Sequence, residues 1–170
     1  MYQTERLLLR RFSEDDAPFI LTLLNEPSFL RYIGDKKVRT LEDARKYILN
    51  GPVASYERNG FGLCLVELEE SHTPIGMCGL LKREELPDPD IGFAFLPAFW
   101  SKGFAFEAAQ AVLHDARERL GLQRILAITS LDNESSIKLL ERLGLRFEKV
   151  MTLSSDREQV KLFKTDYATE

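Results

Sequence analysis

The chain has 170 residues, of which 44% are hydrophobic, and this suffices for one packed core, so we expect residues 1–170 to form a single domain. The formal net charge of −4 and the absence of a basic run argue against a nucleic-acid partner, since nucleic-acid affinity comes from clustered Lys and Arg. No apolar run approaches the roughly 20 residues that cross a bilayer, and the N-terminus has no signal-peptide pattern, so we expect a cytoplasmic protein without a membrane partner.

The N-terminal third of the chain predicts one strand followed by helices. Three consecutive leucines between charged residues indicate a strand over 5–11. Asp15 or Asp16 is suited to cap the helix that follows, and a shorter helical piece is expected at 28–32. The segment Thr40-Leu41-Glu42-Asp43 is similar to a capping box and predicts the start of another helix.

The middle of the chain predicts a hairpin and a further strand. Apolar runs at 61–68 and 75–82 are separated by the polar segment 69–73, which is typical of a hairpin. A strand at 90–96 follows, and small apolar residues at helical spacing predict a helix over 104–120. Because the apolar face of that helix is made of small residues, we expect it to lie close to a sheet.

The last part of the chain predicts a strand at 124–129, a helix capped by Asp132-Asn133, and two closing strands at 146–153 and 159–164. The whole order is therefore β-α-α-β-β-β-α-β-α-β-β. It predicts an α/β (α+β) fold with a mixed, mostly antiparallel central sheet of about seven strands and helices on both faces.

The two cysteines, Cys64 and Cys78, fall on the two strands of the predicted hairpin. If the turn centres on Ser71, they lie opposite each other. Two cysteines are too few for a disulfide framework or a zinc site, and we interpret them as reduced core residues, because a buried free cysteine packs as a small hydrophobe. No bound metal is expected.

The segment from Phe95 to Ala109 is the most informative part of the sequence, because a strand runs into a tight turn that opens directly onto a helix. The first turn of a helix leaves N–H donors without partners, and the aligned peptide dipoles make that end partly positive. Gly103 and Ala105 allow a bulky ligand to approach the backbone. These features predict a site for an anion such as a phosphate.

The predicted element order and two segments resemble the GNAT superfamily of acyl-CoA-dependent N-acyltransferases. The segments are Trp100-Ser101-Lys102-Gly103-Phe104-Ala105 after the fourth strand and residues 133–145, which begin Asn133-Glu134-Ser135-Ser136, after the fifth. Three further segments, Thr4-Glu5-Arg6-Leu7-Leu8-Leu9-Arg10, Ile91-Gly92-Phe93 and Ala105-Phe106-Glu107-Ala108, resemble the branch of the RimJ/RimL-type ribosomal-protein N-terminal acetyltransferases. The resemblance covers essentially the whole chain and implies the GNAT fold.

The resemblance implies acetyl-CoA as cosubstrate and assigns residues to it. The amides of Ser101, Lys102, Gly103, Phe104 and Ala105 are expected to hold the pyrophosphate, although Ser101 stands where a second Gly often occurs in the family. The backbone of Phe93, Ala94 and Phe95 is expected to pair with the pantetheine arm, and Asn133 to hydrogen-bond that arm from the other side.

In the family, the fourth and fifth strands splay apart, so that the thioester lies beside the acceptor amine and the amine attacks it directly. The backbone of residues 93–95 is also suited to polarise the thioester carbonyl. Asp90 is the first candidate for a general base and Glu67 the second; the alternative for each is a structural or solvated carboxylate.

Many members of the superfamily carry a Tyr general acid at the position that holds Leu140 here. Ser136 or Ser135 is the candidate replacement, although a Ser in a first helical turn is also a common cap. A thiolate with a pKa near 8 to 9 also leaves without an acid.

These observations predict an acetyl-CoA-dependent N-acetyltransferase that acts on a primary amine. The acceptor is either a protein N-terminus or a small molecule such as an aminoglycoside, a polyamine or an amino-acid derivative. The alternative is a catalytically silent acyl-CoA-binding sensor or interaction module. Phe29, Tyr32 and Ile33 either line the acceptor pocket or cover the core, and the protein is expected to be a monomer or a homodimer.

Overall fold

The computed structural model describes residues 2–153 and 158–166, and eight strands of that part form one sheet. The strands are β1 (Tyr2–Gln3), β2 (Leu7–Arg11), β3 (Leu63–Leu68), β4 (Pro74–Leu81), β5 (Asp90–Phe95), β6 (Arg124–Ser130), β7 (Arg146–Thr152) and β8 (Gln159–Asp166). Their order across the sheet is β1-β2-β3-β4-β5-β6-β8-β7.

Six α-helices accompany the sheet in the described part of the chain: α1 (Ala17–Leu24), α2 (Pro27–Tyr32), α3 (Leu41–Ile48), α4 (Ala54–Asn59), α5 (Phe104–Glu118) and α6 (Glu134–Arg142). The expected capping box at the start of α3 is present, since Thr40 Oγ1 accepts a hydrogen bond from the N–H of Asp43 and the Asp43 carboxylate accepts one from the N–H of Thr40.

The sheet is antiparallel except between β5 and β6, which run parallel. These two strands share a single register pair, Asp90 with Leu126, and the Leu126 N–H donates to the Pro89 carbonyl at 2.9 Å. Beyond that pair they separate. The sheet therefore opens into a gap that is closed at Asp90 and open towards the carboxyl ends of β5 and β6.

The hairpin of β3 and β4 has the expected register. Cys64 lies directly opposite Cys78, and both are buried, free thiols. Burial raises the pKa of the Cys64 thiol to about 11 and raises that of Cys78 further. The two cysteines are therefore core residues with little thiolate at neutral pH.

Two apolar cores lie on opposite faces of the sheet. The first packs α5 and part of α6 against the sheet through residues that include Ala108, Ala109, Val112, Ile125 and Leu140. The second packs α1, α2 and α3 on the other face through residues that include Ile20, Leu24, Phe29, Ile48 and Leu65. The buried face of α5 is rich in alanine, as expected of a helix that lies close to a sheet.

The fold class, the mixed sheet and the helices on both faces are confirmed. Two elements were not predicted: the two-residue strand β1 and the helix α4. A strand of two residues is too short to show an alternating hydrophobic pattern. The helix α4 follows a π-helical turn, Leu49–Val53, whose Pro52 interrupts the helical pattern in the sequence. None of the described helices is long and apolar enough to cross a membrane.

Candidate active site

The β5 edge of the gap is formed by backbone groups of alternate residues. The Leu96 N–H donates to the Ile75 carbonyl at 2.9 Å. Because hydrogen-bonded and non-hydrogen-bonded residue pairs alternate along an antiparallel ladder, the backbone groups of Ala94 are directed towards Met77 in β4. The backbone groups of Phe93 and Phe95 are consequently directed towards β6. Of the three residues predicted to pair with the pantetheine arm, Phe93 and Phe95 thus direct their backbone groups into the gap, whereas those of Ala94 face β4 within the sheet.

Trp100 forms a hydrogen bond with the same edge of β5. Its Nε1 donates to the Phe95 carbonyl at 2.8 Å, although 47% of the residue is exposed. The carbonyl of Phe95 is thereby satisfied, while its N–H remains directed into the gap. Trp100 therefore fastens the end of β5 to the loop that follows.

The β6 edge mirrors the β5 edge. Because the Leu126 N–H donates to the carbonyl of Pro89, which directly precedes β5, the backbone groups of Ile128 and Ser130 are also directed towards β5. The hydroxyls of Thr129 and Ser130 are buried and have no hydrogen-bond partner among the described residues. Buried hydroxyls are normally paired, so each of these two is a candidate contact for a polar ligand, although consecutive strand residues direct their side chains to opposite faces of the sheet.

The loop between β5 and α5 has two residues with left-handed backbone conformations. Ser101 has φ 61° and Gly103 has φ 82°, both left-handed, which turns successive N–H groups towards one concave surface. Within residues 2–153 and 158–166, the N–H groups of residues 101–105 have no acceptor. Within the part of the chain that it describes, the structure therefore leaves free the N–H groups of the five predicted phosphate donors, Ser101, Lys102, Gly103, Phe104 and Ala105, and their role in binding a phosphate stays a prediction.

Asn133 lies at the first turn of α6 and caps it. Its Oδ1 accepts from the Ser136 N–H at 3.3 Å, and its own N–H donates to the Ser130 carbonyl at 3.3 Å. These contacts place Asn133 next to the end of β6 and use its side-chain oxygen. Its side-chain NH₂ is thus the group that is suited to meet a ligand in the gap. Ser136 is half-buried beside it, while Ser135 is exposed.

Asp90 lies at the closed end of the gap and is fully buried. Arg83 Nε donates to both of its carboxylate oxygens, at 3.2 and 3.1 Å. Burial raises the pKa of Asp90, and the Arg83 charge opposes this only in part. A carboxyl group with a raised pKa is a suitable proton acceptor near neutral pH, but the complete burial restricts access to it.

The structure does not bring Glu67 to the gap. Glu67 lies on β3, with β4 between it and β5. Its carboxylate pairs with Arg10 Nε at 3.3 Å and with His72 Nδ1 at 2.9 Å, and Arg10 also pairs with Asp16. Glu67 therefore belongs to an ion-pair network between β2, β3 and the start of α1.

The remaining expected residues divide between core and surface. Leu140 is 1% exposed and packs in the core on the α5 side. Phe29 packs in the opposite core, which agrees with the alternative that it covers the core. Tyr32 is half-buried and Ile33 is 42% exposed, so these two side chains are accessible on the outside of α2.

The sequence patterns missed three residues beside the gap: Arg83, Thr129 and Ser130. Thr129 and Ser130 were detectable as two hydroxyl residues that end an otherwise apolar strand just before the cap at Asn133. No local pattern indicates Arg83, whose contact with Asp90 depends on the path of the loop between β4 and β5.

Comparisons with known proteins identify the family of this chain. The family model of the acetyltransferase (GNAT) domain matches residues 6–146. The uncharacterized N-acetyltransferase YoaA of Bacillus subtilis strain 168 is 30% identical over 151 residues, which are 88% of this chain and 84% of YoaA. The uncharacterized N-acetyltransferase p20 of Bacillus licheniformis is 30% identical over 175 residues, which cover 97% of each chain.

Among solved structures, the fold is similar to that of RimL, a ribosomal L7/L12 alpha-N-protein acetyltransferase in complex with coenzyme A. The TM-score is 0.82 at 19% identity, and the match covers 96% of this chain and 95% of RimL. At that identity the likeness concerns the fold. The family match and the two sequence relatives carry the assignment, and the chain belongs to the GNAT acetyltransferase family.

Proposed function

We propose that this protein transfers an acetyl group from acetyl-CoA to a primary amine by direct attack on the thioester. The observation that carries the proposal is the gap between β5 and β6, because it opens at the anion-binding loop before α5 and closes at Asp90. A gap lined by unpaired strand edges accepts an extended, amide-containing chain, and the loop at its mouth accepts the diphosphate to which such a chain is attached.

The residues present fit acetyl-CoA. The N–H groups of residues 101–105 are the donors for the pyrophosphate, and Asn133 and the backbone of Phe93 and Phe95 are the partners for the pantetheine amides. Thr129 and Ser130 supply hydroxyls that have no hydrogen-bond partner within the part of the chain that the structure describes. When bound, acetyl-CoA supplies the activated acetyl thioester.

The protein's own contribution is then positioning, polarisation and proton transfer. The N–H of Phe93 points into the gap and is suited to polarise a carbonyl there. Asp90 is our candidate base, because its pKa is raised and it lies where the gap closes; since it is fully buried, it acts through a water within the gap. Ser136, half-buried beside Asn133, is the candidate donor for the leaving thiolate, unless the thiolate leaves unaided.

The acceptor is a primary amine of a protein N-terminus or of a small molecule. An α-amine with a pKa near 8 is roughly a tenth neutral at pH 7, whereas a lysine amine is neutral in only about one molecule in a few thousand. Limited access to Asp90 therefore favours an α-amine. RimL, whose fold this chain shares, acts by name on a protein α-amine.

The second candidate is an acyl-CoA-binding module without turnover. Leu140 favours it, because this side chain is part of the core and provides no proton donor where many relatives carry a Tyr. Both candidates require coenzyme binding, so only turnover separates them.

The test is an acceptor screen in which purified protein, acetyl-CoA and a panel of peptides and amines are scored for amine-dependent release of free thiol. We expect release with at least one α-amine acceptor. Thermal stabilisation by acetyl-CoA without thiol release across the panel would support the silent module instead.

Gly103→Glu is the control variant for the screen. It places bulk and negative charge beside the proposed pyrophosphate site, so we expect acetyl-CoA to lose its stabilising effect while the far-UV circular dichroism spectrum is retained. Undiminished affinity in this variant contradicts the loop assignment.

We further propose that residues 1–170 form one acetyltransferase domain, since the sheet draws strands from both ends of the described chain. A cytoplasmic location is supported by the two buried free cysteines, which suit a reducing compartment. The protein works as a monomer or a homodimer.

A further inference from the structure

Arg6, in the turn between β1 and β2, contacts the loop before α5. Its Nη1 donates to the Lys102 carbonyl at 2.9 Å, and its guanidinium carbon lies 4.3 Å from the centre of the Phe104 ring. Between these two residues, a Cβ at Gly103 would lie 3.2 Å from Arg6 Nη2. The guanidinium therefore adjoins three consecutive residues of the loop.

Glu107, in the first turn of α5, fixes the position of Arg6. One carboxylate oxygen accepts from Arg6 Nε at 2.8 Å, and the other accepts from the Arg6 N–H at 2.9 Å and from Thr4 Oγ1 at 2.5 Å. Burial raises the pKa of Glu107, but the hydrogen bonds from Thr4 and Arg6 together outweigh it and hold the pKa below its usual value. Glu107 is thus an ionised anchor whose two oxygens are both engaged.

This arrangement matters for an anion at the start of α5. A carboxylate in the first turn of a helix stabilises the helix but repels an anionic ligand at the same end. The positive charge of Arg6 lies between the Glu107 carboxylate and Gly103, and it compensates the negative charge of Glu107. Moreover, Arg6 engages a carbonyl of the loop and leaves the N–H groups of residues 101–105 without a partner in the described part of the chain.

We propose that Arg6 is a positioning residue for the coenzyme: it holds the loop between β5 and α5 in its binding conformation and neutralises Glu107 beside the pyrophosphate. The inference rests on the proposed function, because it assumes that acetyl-CoA binds at this loop. It also explains two distant segments of the family resemblance, Thr4 to Arg10 and Ala105 to Ala108, since Thr4 and Arg6 in the first bond Glu107 in the second.

The experiment compares Arg6→Ala and Arg6→Lys with the wild type and with Arg11→Ala. Arg11→Ala removes the same charge from an exposed arginine that lies over the Tyr56 ring, so it is the matched control. The readouts are the Kd of acetyl-CoA by isothermal titration calorimetry, KM and kcat with a saturating acceptor, and the melting temperature.

For Arg6→Ala we expect acetyl-CoA affinity to fall about ten- to a hundredfold, as for the loss of charge-assisted hydrogen bonds, with a matching rise in KM and an unchanged kcat at saturation. Arg6→Lys is expected to recover part of the affinity, because it keeps the charge but lacks the planar fork. Arg11→Ala should bind like the wild type. Wild-type affinity in Arg6→Ala, an equal loss in Arg11→Ala, or a fall in kcat without a rise in KM would overturn the proposal.

A pair of uncharged polar variants tests the charge part of the proposal even if Arg6→Ala folds poorly. Arg6→Gln leaves Glu107 uncompensated, so acetyl-CoA should bind weakly, and the double variant Arg6→Gln with Glu107→Gln should bind more tightly than Arg6→Gln alone. Equal affinities of the single and double variants would contradict neutralisation. A wild type that does not bind acetyl-CoA refutes the proposed function itself. A wild type that binds acetyl-CoA, together with Arg6 variants that bind it equally well, refutes only the role of Arg6.

Discussion

Arg83 and Asp90 form an ion pair in which the carboxylate is fully buried while 32% of the arginine side chain is exposed. Both oxygens of Asp90 accept from the same nitrogen, Arg83 Nε. The pair closes the inner end of the gap between β5 and β6, where Asp90 is in register with Leu126. Burial, opposed in part by the Arg83 charge, thus sets the environment of Asp90, which is the only candidate base that lies at the gap among the described residues.

Stability should depend on pH through Asp90. Because its pKa is raised in the folded protein, the folded state binds more protons than the unfolded state just above the ordinary carboxyl range, and the free energy of unfolding falls as the pH rises through that window. Asp90→Asn removes this titration. We expect the variant to gain stability relative to the wild type as the pH rises above about 4, as measured by urea unfolding, and Glu84→Gln on the same loop is the control for the loss of one carboxylate.

The role of Asp90 as a base should depend on the acceptor. Asp90→Asn should lower kcat/KM by about tenfold for an α-amine and by about a hundredfold or more for a lysine-type amine, because the second acceptor is far less often neutral at pH 7. The measurement is thiol release with two peptides that differ in which amine is free. Equal losses for both acceptors would indicate a structural role for the carboxylate.

The backbone at Ser101 should tolerate glycine. Ser101 has φ 61°, a conformation that glycine adopts without strain, so Ser101→Gly should keep acetyl-CoA affinity and change stability by less than about 1 kcal/mol. Ser101→Val should lose affinity, since a β-branched residue is disfavoured there. Ser101→Ala is the control for the hydroxyl. Calorimetric Kd values for the three variants check the prediction, and wild-type affinity in Ser101→Val would contradict it.

The hydroxyl of Thr129 should stabilise the complex with acetyl-CoA more than it stabilises the free protein. Thr129→Val removes a buried hydroxyl that has no partner among the described residues, so the free protein should be unchanged or more stable by up to about 1 kcal/mol. Acetyl-CoA affinity should fall at the same time. Thr152→Val, on the exposed edge strand β7, is the matched control. Lower stability of the free Thr129→Val protein would show that the hydroxyl is already satisfied.

The protein's own cysteine thiols should give no signal in the thiol-release assay while the protein is folded. Cys64 has a pKa of about 11 and both cysteines are buried, so a thiol reagent at pH 8 should label neither in the folded protein and both after unfolding in guanidinium. Labelling of Cys64→Ala and Cys78→Ala identifies the contribution of each position. Rapid labelling of the native protein would contradict the burial and would require a background correction in the screen.

The parts of the fold that follow from the sequence are those specified by neighbouring residues. The opposition of Cys64 and Cys78 follows from the symmetry of their hairpin about Ser71, and the start of α3 follows from Thr40 and Asp43. The helix α4 did not follow, because Gly51 and Pro52 interrupt the helical pattern before it, although the chain continues through a π-helical turn.

By itself, the sequence determined the element order apart from β1 and α4, the family and the loop that begins α5, because each depends on side chains and turns that are close together along the chain. Only the tertiary structure decided that Phe93 and Phe95 rather than Ala94 face the gap, that Arg83 covers Asp90, and that Arg6 bonds Glu107, which is 101 positions away. These relationships depend on strand register and on packing between distant segments, and local hydrophobic periodicity carries no information about either.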